Sequence, residues 1–266
     1  MKRIVWATDL HLNFVPDQVT FAFYEAVANQ NADAVLIAGD IAEAHNFARH
    51  LQDMQAVVSR PIYFVLGNHD YYHGSIQKVR AETRRLCERN SNLIWLNDAG
   101  VVKLGRDTAL VGHDGWADGR LGDYRNSKIR LNDYVLIDEL MGHSRQELLG
   151  VLNQLGDEAA GHFRHVLTDA LEEHTKVIAL THVPPFLEAS WHDGQLSDDD
   201  WAPHFTCMAA GEVMRTIMMG HTDKQLLVLC GHTHGAGEAD IEPNLHVSTG
   251  GAVYGHPTVQ SLIEVQ

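Results

Sequence analysis

The sequence has few cysteines, few cations and no long apolar run, and each shortage excludes a class of protein. Only three cysteines occur in 266 residues, and Cys87, Cys207 and Cys230 share no Cys-x-x-Cys spacing. Three is too few for a disulfide framework, so we expect reduced structural thiols. Cys230 directly precedes the motif Gly-His-Thr-His, and it is therefore the only cysteine with a candidate chemical role.

Positive charge is also scarce. The chain has 20 Lys and Arg against 35 Asp and Glu, which gives a formal net charge of -15 at pH 7. A surface that binds duplex nucleic acid needs clustered Lys and Arg, so we do not expect nucleic acid as a partner. Carboxylates that bind divalent cations also count as negative charge in a sequence, and the same excess is therefore compatible with a metal site.

No apolar run is long enough for a membrane segment. The N-terminus MKRIVWATD places only four apolar residues between the basic start and Thr8, too few for a signal-peptide core or a membrane span. We therefore predict a cytoplasmic protein without a membrane partner. Repeats, low-complexity tracts and linkers are absent as well. With 266 residues, 45% of them hydrophobic, the chain is expected to form a single domain, residues 1–266, around a substantial core.

Short apolar runs alternate with segments of helical periodicity. The runs predict buried strands at Ile4–Ala7, Ala34–Ala38, Ile62–Leu66, Ala109–Val111, Val177–Leu180 and Leu226–Leu229. The periodic segments predict helices at Val19–Ala28, Phe47–Val58, Ile76–Glu88, Gln146–Leu155 and Phe163–His174, with Asp17 and Ser75 as N-caps of the first and third. This alternation predicts an α/β fold with a largely parallel sheet. The polar stretches 114–133 and 188–205 are expected to be loops over a site.

Polar side chains follow five of the predicted strands. They are Asp9 and His11, then Asp40, then Asn68, His69 and Asp70, then His182, and finally His232 and His234. The carboxyl ends of parallel strands share one edge of a sheet, so we expect these groups to converge. Histidine is abundant, 18 in the chain, and a single one would be weak evidence, but five strand ends together indicate a site. Oxygen and imidazole ligands without thiolate suit Mn, Fe, Zn or Mg, and they exceed what one tetrahedral site needs.

The order Asp-x-His, Gly-Asp, Gly-Asn-His-Asp, His, Gly-His-x-His resembles that of the calcineurin-like metallophosphoesterase family. The resemblance covers Asp9 to His234, and it implies a four-layer α-β-β-α sandwich whose closing strands would be Leu245–Val247 and Leu262–Val265. It also implies a dinuclear metal-dependent phosphoesterase. The expected substrate is a phosphodiester or phosphomonoester of a small molecule, with a nucleotide-like ester as one option.

The resemblance implies a role for each residue of the five blocks. A first metal would be held by Asp9, His11, Asp40 and His234, and a second by Asp40, Asn68, His182 and His232. Asp40 would bridge the two ions, and a bridging water would lose a proton to become the nucleophile. His69 would protonate the leaving oxygen or stabilise charge on the phosphoryl group. Asp70 is expected to shape the turn, and His113, which matches no block, to be a satisfied buried polar residue.

The chain departs from the protein phosphatases of this superfamily. Those are similar in having Gly-Asp-x-x-Asp-Arg-Gly and Gly-Asn-His-Glu, whereas this chain has GDIAEAH and GNHD, which argues against a protein phosphatase. Ala44 stands in place of their phosphate-binding Arg, and Glu43 is a candidate for orienting His69. The substrate's remaining charge would then be met by Arg125, Lys128 and Arg130 of DYRNSKIR. Tyr71, Tyr72, Trp116 and Trp191 are candidates for walls of a pocket for a flat group, with the core as the alternative.

Two other functions are compatible with parts of the pattern. TIM-barrel amidohydrolases also use His-x-His with further histidines and an Asp at strand ends, but there the pair comes at the first strand, and here it comes last. A scaffold that kept this fold as an interaction platform would be expected to lose ligands, and every block here is intact. Binding of about two metals per chain would separate the scaffold from the enzymes.

Overall fold

The computed structural model describes residues 1–266 as an alternation of strands and helices. The strands are β1 Lys2–Ala7, β2 Ala34–Ala38, β3 Ile62–Val65, β4 Leu93–Trp95, β5 Val102–Lys103, β6 Thr108–His113, β7 Lys176–Thr181, β8 Trp191–His192, β9 Gln195–Leu196, β10 Gln225–Cys230, β11 Gly237–Glu242, β12 Leu245–Thr249 and β13 Val259–Val265. The helices are α1 Asp17–Ala28, α2 Phe47–Val58, α3 Ile76–Arg89, α4 Leu96–Ala99, α5 Asp133–Leu136, α6 Arg145–Glu173, α7 Ala202–Phe205 and α8 Met208–Met219.

The strands form two large mixed sheets and one small hairpin. The first sheet has the order β13-β1-β2-β3-β4, the second has the order β11-β12-β10-β7-β6-β5, and β8 pairs with β9. Neighbours from β1 to β4 run parallel, as do β12, β10, β7 and β6. The edge strands β13, β11 and β5 are antiparallel to their neighbours.

The two sheets pack face to face, with helices on the outside. The strands are buried on both faces, so alternate residues enter different cores: in β1, Ile4 and Trp6 face the second sheet, whereas Val5 faces the helices. Side chains of α1, α2 and α3 cover the outer face of the first sheet, and α6 and α8 cover that of the second. The predicted four-layer α-β-β-α sandwich is therefore confirmed, and both closing strands, β12 and β13, are present.

Several helix predictions need correction. Helix α1 begins at Asp17 with Pro16 as its N-cap, so Asp17 lies in the first turn instead of preceding it. There its carboxylate interacts favourably with the positive end of the helix dipole. Ser75 does cap α3, because its side chain accepts a hydrogen bond from the backbone N–H of Lys78.

The two helices predicted at 146–155 and 163–174 are one helix of 29 residues, α6. The polar residues Asp157 and Glu158, which interrupt the apolar pattern, pair with Arg120 and Arg80 at the helix surface. These two residues make one turn of α6 polar and exposed, but the helix continues through it. None of the helices combines the length and apolar character that crossing a membrane requires.

The cysteines are structural thiols, as expected. All three are free, and burial raises the pKa of Cys87 to about 11 and those of Cys207 and Cys230 to about 12. Cys230 lies against Thr249, with 3.3 Å between Sγ and Oγ1. The raised pKa and the contact with Thr249 are typical of a buried structural thiol.

Candidate metal centre and its surroundings

The five sequence blocks meet at the carboxyl ends of strands from both sheets. Loops after β1, β2 and β3 of the first sheet and after β7 and β10 of the second sheet carry them. Five of the nine non-glycine residues with positive φ belong to these blocks, namely Asp9, His11, Asp40, His232 and His234. Such left-handed conformations are costly for residues with a Cβ and persist where surrounding contacts impose them. The backbone of these loops therefore fixes the directions in which these five side chains point.

Glycines beside the blocks leave room for the ligand-type side chains. A Cβ at Gly67 would overlap the carboxylate of Asp40, and a Cβ at Gly231 would overlap that of Asp9. Gly39 has a φ of +89°, a conformation that L side chains rarely adopt. The glycines of Gly-Asp, Gly-Asn and Gly-His thus let the backbone approach the buried carboxylates closely.

One group of potential metal ligands consists of Asp9, His11, Asp40 and His234, whose ligand atoms all lie within 4.8 Å of one another. The Nε2 atoms of His11 and His234 are 2.9 Å apart. Nε2 of His234 is 3.6 Å from Oδ1 of Asp9, and Nε2 of His11 is 3.7 Å from Oδ2 of Asp40. Burial lowers the pKa of His11 to about 3, so its imidazole is neutral and able to bind a cation.

A second group surrounds the side-chain oxygen of Asn68. Its Oδ1 lies 2.9 Å from Nδ1 of His232 and 3.0 Å from Nε2 of His182. The amide orientation follows from its other contact, since Nδ2 donates to a carboxylate oxygen of Asp133 at 2.9 Å. The oxygen of Asn68 therefore faces the two imidazoles.

The tautomer of His232 follows from its partners as well. Its Nε2 lies 3.0 Å from the carbonyl oxygen of His204, and because a carbonyl only accepts, Nε2 carries the proton. Burial lowers the pKa of His232 to about 3, so the ring is neutral and Nδ1 has a free lone pair. This lone pair and the oxygen of Asn68 face each other without a proton between them.

His182 completes this second group. Its Nδ1–H donates to the carbonyl of Ala38 at 2.7 Å, and its Nε2 is 3.3 Å from Oδ1 of Asp40. Burial alone would lower the pKa of His182, but the carboxylates of Asp40 and Asp9 raise it to about 10. The group therefore favours a positive charge at this point, which either a proton or a metal ion would supply.

Asp40 joins the two groups, with one oxygen toward each. Its Oδ1 accepts from the backbone N–H of His69 at 2.9 Å and faces His182, whereas its Oδ2 faces His11. Burial works to raise the pKa of Asp40, but the neighbouring imidazoles, first that of His182, hold it well below its usual range. Asp40 is thus an ionised carboxylate between two sets of nitrogen and oxygen donors.

The donor chemistry fits two divalent cations. Ligands about 2.1 Å from a shared ion lie about 3 Å apart when they are adjacent, and the contacts around Asn68 and between His11 and His234 are of this size. The unprotonated contact between Asn68 and His232 is unfavourable unless a cation lies beside it. A cation at the second group would therefore account for the contact between Asn68 and His232, which hydrogen bonding does not explain.

His69 lies beside both groups without joining the set of close ligand contacts. Its ring stacks on Tyr72 with centroids 4.2 Å apart, and its Nε2 is 3.9 Å from Oδ2 of Asp40. Its Nδ1 is buried without a hydrogen-bond partner. The prediction that Glu43 orients His69 does not agree with the structure, because Glu43 instead accepts from Asn13 and lies near the exposed rings of His45 and His73.

Two polar residues have the structural roles expected of them. The carboxylate of Asp70 accepts hydrogen bonds from the backbone N–H groups of Ile41, Ala42 and Gly67, which connects the loops after β2 and β3. His113 accepts from the backbone N–H of Gly115 at 3.0 Å. Both predictions are confirmed.

The aromatic candidates for a substrate pocket are mostly core residues. Tyr71 and Trp116 are buried, with ring centroids 5.6 Å apart, and the hydroxyl of Tyr71 donates to Asp114. These two do not wall a pocket, because they pack into the apolar layer between the first sheet and its helices. Trp191, in β8, packs against Gly237 of β11. The ring of Tyr72 stacks on that of His69.

The basic loop lies at the surface. Arg125, Lys128 and Arg130 are exposed. Arg130 lines a cavity of about 250 Å³ together with Tyr134, His204 and apolar side chains. None of the candidate metal ligands lines this cavity, and the role of the three basic residues in substrate binding stays a prediction.

Two buried aspartates near the site were not anticipated from the sequence. Asp114 accepts from the backbone N–H of Leu66 at 2.7 Å and from the indole of Trp95 at 2.9 Å, which fixes the end of β3. Asp133 accepts from Asn68 and, at 2.7 Å, from the hydroxyl of Tyr72. Both lie in a stretch that was predicted as a loop, where no periodicity marks a residue as buried.

Substitution of Asp133 by alanine is expected to weaken the second group selectively. The amide of Asn68 would lose the acceptor that fixes its orientation, and a lost partner of a ligand typically reduces metal affinity by about 10- to 100-fold. Titration of metal-free protein with Mn²⁺ would measure this, with two binding steps resolved by calorimetry. We expect only one step to weaken, and equal affinities for wild type and variant would contradict the positioning role of Asp133.

The two sheets bring the groups around Asp40 and Asn68 together at the carboxyl ends of their strands. The chain belongs to the calcineurin-like phosphoesterase family, whose model matches residues 2–236. Among curated proteins it is 29% identical over 129 residues to an uncharacterized metallophosphoesterase from Campylobacter jejuni, a match that covers 42% of this chain and 33% of that protein. The match thus spans about a third of the relative's length.

Solved structures with the same fold include two that cover most of this chain. A phosphopantetheinyl hydrolase from Mycobacterium tuberculosis is similar with a TM-score of 0.65 and 13% identity, covering 95% of this chain and 89% of that one. A dimetal phosphatase from Danio rerio is similar with a TM-score of 0.59 and 15% identity, covering 98% and 91% of the two chains. At such identities the likeness shows the shared fold.

Proposed function

We propose that this protein hydrolyses a phosphodiester or phosphomonoester of a small molecule with the help of two divalent metal ions. Asp9, His11, Asp40 and His234 would hold the first ion, and Asp40, Asn68, His182 and His232 the second. The observation that carries the proposal is the contact of 2.9 Å between the oxygen of Asn68 and the unprotonated Nδ1 of His232. Two acceptors face each other there at a distance that a shared cation would explain.

The metal ions, when bound, would neutralise charge on the phosphoryl group and lower the pKa of a water molecule. Side chains of the protein would hold the ions and supply the proton for the leaving group. Asp40 stays ionised because of its imidazole neighbours and offers one oxygen to each group of ligands. His69 lies within reach of the same space, supported by Tyr72, and would donate a proton to the departing oxygen.

Further properties of the protein are proposed from separate observations. A single domain, residues 1–266, is supported by the continuous core between the two sheets. A cytoplasmic location is supported by the three free cysteines.

The similarity to a phosphopantetheinyl hydrolase is consistent with a phosphate-containing substrate, and the similarity to a dimetal phosphatase is consistent with two ions. The exposed Arg125 and Lys128 are proposed to attract the anionic substrate.

The proposal is tested by metal analysis combined with a substrate panel. Purified protein loaded with Mn²⁺ is expected to contain about two ions per chain and to hydrolyse a subset of phosphate mono- and diesters. Inorganic phosphate, the product, is expected to inhibit competitively, and prolonged chelation to abolish activity in a way that added metal restores. Full activity of metal-free protein would contradict the dinuclear mechanism.

The same experiment addresses the alternatives. The amidohydrolase alternative required a closed barrel, and the strands instead form two open sheets, so that alternative was wrong. A scaffold without catalysis would bind no stoichiometric metal and hydrolyse no ester.

A further inference from the structure

Two exposed aromatic side chains lie at the edge of the candidate metal centre, and the packing of the protein does not account for them. Phe14 is 53% exposed and Tyr254 48% exposed; among the aromatic residues only Phe21, at 45%, is comparable. A single exposed ring is normal on a protein surface. Two rings in mutual contact beside a reactive centre are typical of a binding surface.

The two rings pack against each other and against the site. Phe14 and Tyr254 meet edge to face with centroids 5.2 Å apart. The ring of Tyr254 lies 4.5 Å from that of His11 and 5.1 Å from that of His234. The aromatic pair therefore borders the centre at His11 and His234, and the ring of Tyr254 also lies 6.3 Å from that of His69.

The backbone holds Tyr254 in place before any ligand arrives. A turn closed by the hydrogen bond from the N–H of His256 to the carbonyl of Val253 carries it, and the third position of the turn is Gly255 with a φ of +79°. The preceding residues are anchored too, since the N–H of Ala252 donates to the carbonyl of His234. Gly251 exchanges two hydrogen bonds with the side chain of Gln260.

Phe14 is fixed by a different segment, the short helical turn that follows His11. Its backbone N–H donates to the carbonyl of His11 at 2.9 Å. Both rings thus come from segments held directly against candidate metal ligands. Such preorganised aromatic surface binds a ring without a large loss of side-chain entropy.

We propose that Phe14 and Tyr254 form an aromatic shelf that binds a flat, uncharged ring in the leaving group of the substrate. The inference rests on the proposed function, because the shelf acquires this role only if a phosphoester is cleaved beside His69. A leaving oxygen facing His69 would place an attached ring next to Tyr254. The substrate class is then an ester of an aryl or heteroaryl alcohol, in preference to a purely aliphatic one.

Two phosphonates that differ only in the ring test the shelf without turnover. Phenylphosphonate and methylphosphonate present the same phosphoryl group, so the ratio of their dissociation constants isolates the contribution of the ring. We expect metal-loaded wild type to bind phenylphosphonate about two- to tenfold more tightly, as an aromatic pair predicts. Calorimetric titration measures both constants.

Variants of the shelf should change this ratio in a defined way. Phe14→Ala and Tyr254→Ala are expected to bring it close to one, and Tyr254→Phe, which keeps the ring, to retain it. For p-nitrophenyl phosphate the two alanine variants should raise KM more than they lower kcat. Phe21→Ala is the matched control, because Phe21 is an exposed ring that packs on Tyr24 and has no ring contact with the site.

The outcomes separate the shelf from the proposed function. Equal binding of the two phosphonates by wild type, or an unchanged ratio in both alanine variants, would overturn the shelf while ester hydrolysis persists. A smaller molecular mass of Phe14→Ala in solution with an unchanged ratio would also overturn it and identify the pair as a subunit contact. Absence of hydrolysis and of binding of either phosphonate would reject the phosphoesterase function itself.

Discussion

Replacement of Asp40 by asparagine is expected to remove most of the metal and to reduce ester hydrolysis at least about a thousandfold, because the ions supply several kcal/mol of transition-state stabilisation. The amide would keep its oxygen toward the backbone N–H of His69, which is the donor that Oδ1 accepts from in the native protein. Its NH₂ group would then take the place of Oδ2 and face His11. We therefore expect the first ion to be lost more completely than the second.

Metal analysis of dialysed protein and initial rates on a phosphate ester measure the two effects. Asp98→Asn is the matched control, because Asp98 is an exposed carboxylate paired with Arg84 and the chemical change is identical. A variant at position 40 with full metal content and near-wild-type rates would disprove the bridging assignment.

Replacement of His69 by asparagine is expected to leave both ions in place and to lower activity unevenly between substrates. The ring of His69 packs edge-on against that of His11 with centroids 4.5 Å apart, but His69 does not belong to the group whose ligand atoms lie within 4.8 Å of one another. We therefore expect the metal content to be unchanged. If His69 protonates the departing oxygen, an alkyl ester, whose alkoxide leaves poorly, should lose about 10² to 10⁴ in kcat. A nitrophenyl ester, whose leaving group needs little protonation, should lose less.

The ratio of the two losses distinguishes the possible roles of His69. Equal losses on both esters with intact metal content would assign it to electrostatic stabilisation of the phosphoryl group. Loss of metal would make it a ligand or a support of the ligands, and the general-acid role would be rejected. His73→Asn, a change at an exposed histidine in the next turn, controls for the substitution itself.

The sequence predicted the elements that carry the site better than those at the edges of the fold. The runs before Asp9, Asp40 and His232 are apolar and largely buried, so their assignment as strands is unambiguous. Strands β4 and β5 have three and two residues, too few for a pattern, and β11 carries mixed polar residues at an edge. Helix α8, which is rich in Met and Ala, has no counterpart among the predicted helices.

The sequence did not point to Asp133, which orients Asn68, or to Tyr254, which borders the candidate metal centre. Asp133 and Tyr254 lie in segments without periodicity, and their importance depends on which loops meet in space. For Tyr71 and Trp116 the sequence left a pocket wall and the core as alternatives, and their burial selects the core. An aromatic residue next to a ligand motif suits both equally well, and only the packing decides. Ligand motifs are local, whereas the shell that orients them is assembled from distant parts of the chain.

The close packing of glycines on the carboxylates changes how activity should be inferred from sequences in this family. An alanine at Gly67 or Gly231 would push a methyl group into the carboxylate of Asp40 or Asp9, although every candidate ligand residue would still be present. The sequence of such a chain would still contain every ligand motif, but its carboxylates could not take up the positions seen here. Positions without any side chain are therefore as diagnostic of an active enzyme as the histidines and aspartates beside them.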